Sequence, residues 1–184
     1  MWDSAIVLSK YLEKQGAKRF AGKSVCELGA GCGLLSVVLR HLGARVVATD
    51  LECNLPLLRR NVTSGESGIT ATASPLVWGK RSAEAVLRDA NGGAAFDVVV
   101  ASDVMYIIDA VPDLVNTMKA LSGHQTAIWL AYGRNRTAED IFMRAAKQAG
   151  FTVTEVVDSE LHEVYQCLDV TVLSLRLKCS SASG

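Results

Sequence analysis

A chain of 184 residues is long enough for one domain with a substantial core, and its 19 basic and 19 acidic residues cancel. That balance leaves no basic footprint for nucleic acid and no charge attraction toward an anionic membrane, so neither partner is expected. With 49% hydrophobic residues, no apolar run of the roughly 18 residues a membrane span needs, and neither a basic nor an apolar leader at Met1-Trp2-Asp3, the composition describes a compact soluble domain.

In chain order, WDSAIVLSKYLEK sets Ala5, Leu8 and Leu12 at helical spacing, with Asp3 or Ser4 available as a cap. KSVCEL reads as a buried strand and CGLLSVVLRHL as a helix stopped at Gly43. ARVVATD is a second strand, and NLPLLRRNV a helix with Pro56 in its first turn. ITATASPLVW predicts a third strand ending at Trp78-Gly79, then SAEAVLRDA a helix and NGG a turn. FDVVVAS is the fourth strand, PDLVNTMKAL a helix, TAIWLAY the fifth strand and TAEDIFMRAAKQAG its helix. FTVTEVV and LDVTVLSLRLK follow as two strands with no helical pattern between them.

This alternation argues for an α/β fold: a seven-stranded, mostly parallel sheet with helices on both faces. The last two strands form a C-terminal hairpin that puts one antiparallel strand into the sheet. One domain is expected over residues 1–178, with a disordered tail at 179–184. The five cysteines are odd in number and form no C-x-x-C pair, which predicts reduced thiols and a cytoplasmic protein. His41, His124 and His162 stand in no ligand spacing, so no metal is expected. The sequons at Asn61 and Asn135 read as chance matches.

Ligands of such sheets bind beyond the carboxyl ends of the strands, at the switch point beside the first strand. The first strand ends in Glu27 and a loop with Gly29, Gly31 and Gly33, where backbone can approach a ligand closely. The dinucleotide fingerprint needs a further glycine at 34, which is Leu34, and no Walker lysine is present. Glu27 would repel a pyrophosphate but suits an ammonium or sulfonium. The second strand ends in Asp50, which either accepts hydrogen bonds from a ribose diol or caps the helix near Asn54. Trp78 offers a flat neighbour to adenine, or packs on the sheet edge. Asp103 and Tyr106, after the fourth strand, either face the reacting group or cap a turn and fill the core. The charge pattern selects S-adenosyl-L-methionine over NAD.

Together ELGAGCG, TDL, LVWG, SDVMY and WDSAIVLSKYLE resemble the seven-β-strand protein-lysine methyltransferases of the methyltransferase-like 21 family, with the branch acting on valosin-containing protein nearest in look. The resemblance implies a Rossmann-like fold, S-adenosyl-L-methionine as methyl donor with S-adenosyl-L-homocysteine as product, and a monomer acting on a protein. In relatives the substrate is a chaperone, an AAA ATPase or an elongation factor. It also implies that Trp2 closes over the cofactor, that Gly29, Ala30 and Gly31 surround its tail, and that Asp50 holds the ribose. Trp78 would lie beside adenine, Ser102 would offer a backbone contact, and Asp103 and Tyr106 would receive the lysine. Relatives carry a segment before the first helix and an acidic residue after the tyrosine of the fifth strand; here that position follows Tyr132 as Gly133-Arg134. A small-molecule or nucleic-acid methyltransferase and a non-catalytic binding module are the alternatives. The nucleic-acid enzymes often show N/D-P-P-Y where this chain has S-D-V-M-Y.

Overall fold

Runs of β-branched and small apolar residues build one seven-stranded sheet in the computed structural model, which describes residues 2–63, 71–133 and 136–179. The strands are β1 (Ser24–Leu28), β2 (Arg45–Asp50), β3 (Ala71–Pro75), β4 (Phe96–Ser102), β5 (Ser122–Gly133), β6 (Phe151–Glu155) and β7 (Val170–Leu177). Their spatial order is β3-β2-β1-β4-β5-β7-β6. β7 lies antiparallel between β5 and β6, as the C-terminal hairpin requires, and the remaining pairs are parallel.

Alternation along each strand sends neighbouring side chains to opposite faces. In β4, Val98 and Val100 enter one core, while Val99 and Ala101 enter the other. The first core is closed by α1 (Asp3–Gln15), α3 (Leu34–His41) and α4 (Leu55–Thr63), with Phe20 added by the short α2 (Ala17–Phe20). The second is closed by α5 (Lys80–Asn91), α6 (Val111–Leu121) and α7 (Arg136–Ala149). Leu8, Leu12, Leu35, Leu39 and Leu58 are fully buried, and each contributes about 2 kcal/mol by leaving water. These stripes fix how the helices lie, and hence where their ends project.

The structure departs from expectation at four places. β3 ends at Pro75, three residues before Trp78; Leu76 N–H still donates to Asp50 O, so the proline nitrogen faces the open side of this edge strand, where its missing N–H costs no ladder bond. β5 starts at Ser122 instead of Thr126, with a shifted register between Phe96 and Val98. α1 has no side-chain cap: Trp2 takes the capping position, Asp3 lies in the first turn and Ser4 points inward. α2, at four residues, is too short for periodicity to reveal. Residues 69 and 70 of the expected third strand, Asn135, and residues 180–184 of the expected tail lie outside the described residues. The winding reverses between β1 and β4, so the carboxyl ends of β1 to β4 meet around one crevice.

Candidate active site

The crevice is floored by the loop that leaves β1. Gly29, Gly31 and Gly33 have φ of 63°, 54° and 82°, left-handed values that side chains disfavour. A Cβ on Gly29 would lie 2.7 Å from Val104 Cγ1, so the absent side chain is what lets the loop close on the end of β4. A Cβ on Gly33 would lie 2.8 Å from Leu58 Cδ1 and Val62 Cγ1. That glycine therefore serves the packing of α3 on α4 and not the ligand.

Above the loop lies a cavity of about 430 Å³, a size usual for small-molecule sites. All ten residues expected at the site line it: Trp2, Glu27, Gly29, Ala30, Gly31, Asp50, Trp78, Ser102, Asp103 and Tyr106. Its charged lining is of one sign. Glu27, Asp50, Asp103 and Asp113 border it, and among the described residues no Lys, Arg or His lines it. Such a cavity favours a cationic ligand and disfavours a phosphate.

Asp50 is almost buried and unites the two roles left open for it. Its Oδ1 accepts hydrogen bonds from Leu51 N–H and Asn54 Nδ2, each at 2.7 Å, which ties the start of the segment leading into α4. Its Oδ2 accepts from Gly31 N–H at 2.6 Å, which pins the glycine loop. A carboxylate offers about four acceptor sites, so three bonds leave capacity for a ligand hydroxyl. Three of the loop's N–H groups are bonded within the chain. Gly31 N–H is bound to Asp50, Ala30 N–H to Thr49 O at 2.9 Å, and Gly33 N–H to Ala30 O at 2.7 Å. A positive pole is also supplied by the amino end of α3, which opens on the cavity at Leu34.

Glu27 accepts from Ser36 N–H at 2.9 Å and from Ser36 Oγ, both on Oε2. Burial pushes its carboxyl up to about 7, the Ser36 bonds oppose this, and the Asp50 charge adds to it.

Asp103 is the one non-glycine residue with positive φ (53°) among the described residues, a conformation aspartate tolerates better than most. Its N–H donates to Ala131 O at 2.9 Å, and its Oδ1 accepts from Gly133 N–H at 3.3 Å. Its Oδ2 accepts from Ser4 Oγ, a buried hydroxyl on α1. Two elements, α1 and β5, thus hold this residue. Tyr106 does not fill the core: it is 76% exposed at the cavity mouth. Trp2 lines the same cavity and is also exposed, and Trp78 lies half-buried near Gly29. Sequence reading missed Ser4, Asn54, Gly133 and Asp113. Only Asn54, four residues after Asp50, carried a local signal.

Residues 1–149 match a family model described as lysine methyltransferase. The chain belongs to the lysine methyltransferase family. It is 36% identical over 159 residues to the protein N-lysine methyltransferase METTL21A of Mus musculus, covering 85% of this chain and 69% of that protein. To the EEF1A lysine methyltransferase 3 of Xenopus tropicalis it is 35% identical over 132 residues, 71% of this chain and 55% of that protein. Among solved structures, the Synechocystis magnesium protoporphyrin IX methyltransferase with bound SAH superposes with a TM-score of 0.67 at 16% identity, covering 95% of this chain and 82% of that one. The 16S rRNA methyltransferase RsmC of T. thermophilus, in complex with AdoMet and guanosine, gives 0.68 at 17%, covering 97% and 44%. These two likenesses show the Rossmann-like methyltransferase fold alone. This lysine methyltransferase uses S-adenosyl-L-methionine to methylate lysine in a protein substrate. The cavity fits that donor: it is acid-lined, its glycine floor has no room for a Cβ at 29, and it sets an aromatic ring beside the loop.

Proposed function

We propose that this lysine methyltransferase holds the donor with Trp2, Glu27, Gly29, Ala30, Gly31, Asp50, Trp78 and Ser102, and the acceptor lysine with Asp103 and Tyr106. The observation that carries the assignment is a cavity lined by four carboxylates and, among the described residues, by no cation, with Asp103 held by Ser4 and Gly133. When bound, S-adenosyl-L-methionine supplies a methyl on a cationic sulfur, so that a nitrogen–carbon bond forms as the sulfur–carbon bond breaks and a neutral thioether leaves. Asp50 takes a ribose hydroxyl on its remaining acceptor capacity, while Glu27 balances positive charge from within the cavity. The chain's main contribution is alignment of the two partners.

At pH 7 a free lysine must lose a proton at a cost of roughly 4–5 kcal/mol before its nitrogen can attack. A carboxylate favours the ammonium, so Asp103 captures and orients the side chain, and water takes the proton. Tyr106 forms an aromatic wall that attracts the incoming ammonium by its ring face. The reading extends to a monomer in the cytoplasm, one domain from residue 1 to 178, acting on a chaperone, an AAA ATPase or an elongation factor. It is supported by the five free cysteines and by the named substrate of the EEF1A relative. Incubating the purified chain with cell lysate and a methyl-labelled donor, then mapping label by mass spectrometry, tests it. Label on lysine in a protein is the expected result. Label confined to RNA or to metabolites points instead to those substrates.

Two predictions follow from groups at the floor. Gly29→Ala forces a Cβ onto Val104 and a left-handed φ onto alanine, and is expected to destabilise the fold by about 2 kcal/mol. It should also weaken donor binding, and calorimetry with S-adenosyl-L-homocysteine alongside thermal melting reads both effects. Glu27 gives a pH dependence. Its carboxyl titrates near 7 in the folded chain and at the ordinary 4.5 when unfolded. Between those values only the folded state keeps the proton. Stability from this group is therefore largest below the lower value, falls as pH rises toward 7 by at most about 3 kcal/mol, and is level above. A cationic donor prefers ionised Glu27, so its affinity should climb about fivefold between pH 5.5 and 7.5, and Glu27→Gln should flatten both profiles. Unchanged slopes in the variant would remove Glu27 from this role.

A further inference from the structure

Residues 156–169, which join β6 to β7, carry apolar side chains that no part of the described chain covers. We propose that this segment is a docking surface for the stretch of the protein substrate that bears the acceptor lysine, and that this stretch is basic with apolar anchors. The inference rests on the reading of Asp103 as the lysine acceptor site.

Position is the first ground. Gly133, which ends β5, pairs with Val170, which starts β7, so the segment sits on the same rim as the cavity. A Cβ on Gly133 would lie 4.0 Å from the carbonyl oxygen of Asp169, and Gly133 N–H is bonded to Asp103. The base of the segment thus adjoins the acceptor carboxylate.

Order is the second. Lys14 Nζ donates to Leu161 O at 2.7 Å and to Ser159 O at 3.3 Å, and Val156 N–H to Val172 O at 2.8 Å. Leu161 is buried, and the Lys10 ammonium lies 5.2 Å from the Tyr165 ring centre. Despite these anchors Val164 is 77% and Leu168 82% exposed, with Val157 and Tyr165 also open. Apolar side chains held in water by an anchored segment mark a contact surface.

Charge decides the occupant. From Glu155 to Asp169 the chain has Glu155, Asp158, Glu160, Glu163 and Asp169 and no Lys or Arg, in a protein of zero net charge, and all five acids are exposed. Of the neighbouring cations on α1, Lys10 is paired with Glu13 at 2.7 Å, and Lys14 keeps its charge while bonded to the two carbonyls, so one unpaired cation stands against the five acids. His162 packs edge-on against Tyr165. A nucleic acid would be repelled, and a second copy would bring the same acidic face to a two-fold contact. A cationic segment with apolar residues is attracted on both counts, and lysine-bearing segments supply such charge.

The test uses the full chain saturated with S-adenosyl-L-homocysteine and two fluorescent peptides, each with one central lysine among leucines, flanked by arginines in one and by glutamates in the other. By anisotropy, the arginine peptide should bind and weaken as salt rises, while the glutamate peptide should not bind. The double change Glu160→Lys and Glu163→Lys should weaken the arginine peptide by about tenfold or more, and Val164→Ser with Leu168→Ser should weaken it with little effect on salt dependence. Unaltered melting temperature and cofactor affinity show that each variant is folded and its cavity intact. Failure of the arginine peptide to bind, equal binding of both peptides, or unchanged affinity in both variants overturns the surface. Lysate labelling reads the underlying site separately: protein-lysine label together with unaltered peptide binding in the variants removes only the surface, and no lysine label removes the reading beneath it.

Discussion

Asp50→Asn is expected to weaken S-adenosyl-L-homocysteine binding by about a hundredfold and to lower the melting temperature. The substitution keeps the shape of the side chain and replaces one acceptor oxygen by a donor. In the native site both oxygens accept: Oδ1 from Leu51 N–H and Asn54 Nδ2, and Oδ2 from Gly31 N–H. Whichever way an asparagine amide turns, its NH₂ faces at least one of these donors. A buried N–H left without a partner costs about 1–3 kcal/mol, and the lost charge weakens every hydrogen bond that remains. The ligand's hydroxyl loses the same acceptor. About 3 kcal/mol in sum corresponds to the hundredfold loss. Titration calorimetry checks the affinity, and melting followed by circular dichroism checks the fold. Unchanged affinity with a lowered melting point would show that Asp50 only ties the loop to the chain entering α4.

That double duty explains which parts of the site could be read in advance. β1 and β4 are bounded as expected because their residues are buried almost without interruption, and continuous apolar runs are the clearest strand signal. The glycine loop was legible for a related reason: the left-handed φ at Gly29, Gly31 and Gly33 is a demand on residue type. Asp50 was legible as a carboxylate at a strand end. Its bond to Gly31 was not, since which loop N–H turns toward it is set by how β1 and β2 sit side by side. Glu27 illustrates the same limit. Its charge suggested a cationic ligand, but the Ser36 contact and the burial that raises its carboxyl depend on α3 folding back over β1.

The end of β3 was misplaced because the apolar run continues through Leu76, Val77 and Trp78, past the last residues that pair with β2. Leu76 N–H still bonds Asp50 O at 2.9 Å, and the chain then leaves the ladder, so that Trp78 packs against the second core and lies near the glycine loop. The acceptor side was the least legible. Ser4 and Asp103 are 99 residues apart, and a serine in the first turn of an apolar helix looks like a cap. Only the docking of α1 against the sheet turns it into a partner for the carboxylate.

Asp103→Asn should leave cofactor affinity within twofold and reduce kcat/KM for the protein substrate by about a hundredfold, mostly through KM. Asparagine tolerates the left-handed backbone that Asp103 adopts and can still accept from Gly133 N–H, so the fold should survive the change. It removes the negative charge that holds the incoming ammonium. A charge-assisted hydrogen bond is worth about 3 kcal/mol more than no contact in such a sheltered place, which sets the size of the loss. Ser4→Ala tests whether the hydroxyl from α1 works through the same carboxylate. In the native background it should raise KM about fivefold, because Oδ2 loses the contact that fixes the carboxylate's orientation. In the Asp103→Asn background the same change should have less than a twofold effect, since coupled residues are non-additive. Additive losses would mean that Ser4 acts by packing α1 alone. A fall in kcat at constant KM for Asp103→Asn would point instead to a role for the carboxylate in the chemical step, in conflict with its preference for a protonated lysine.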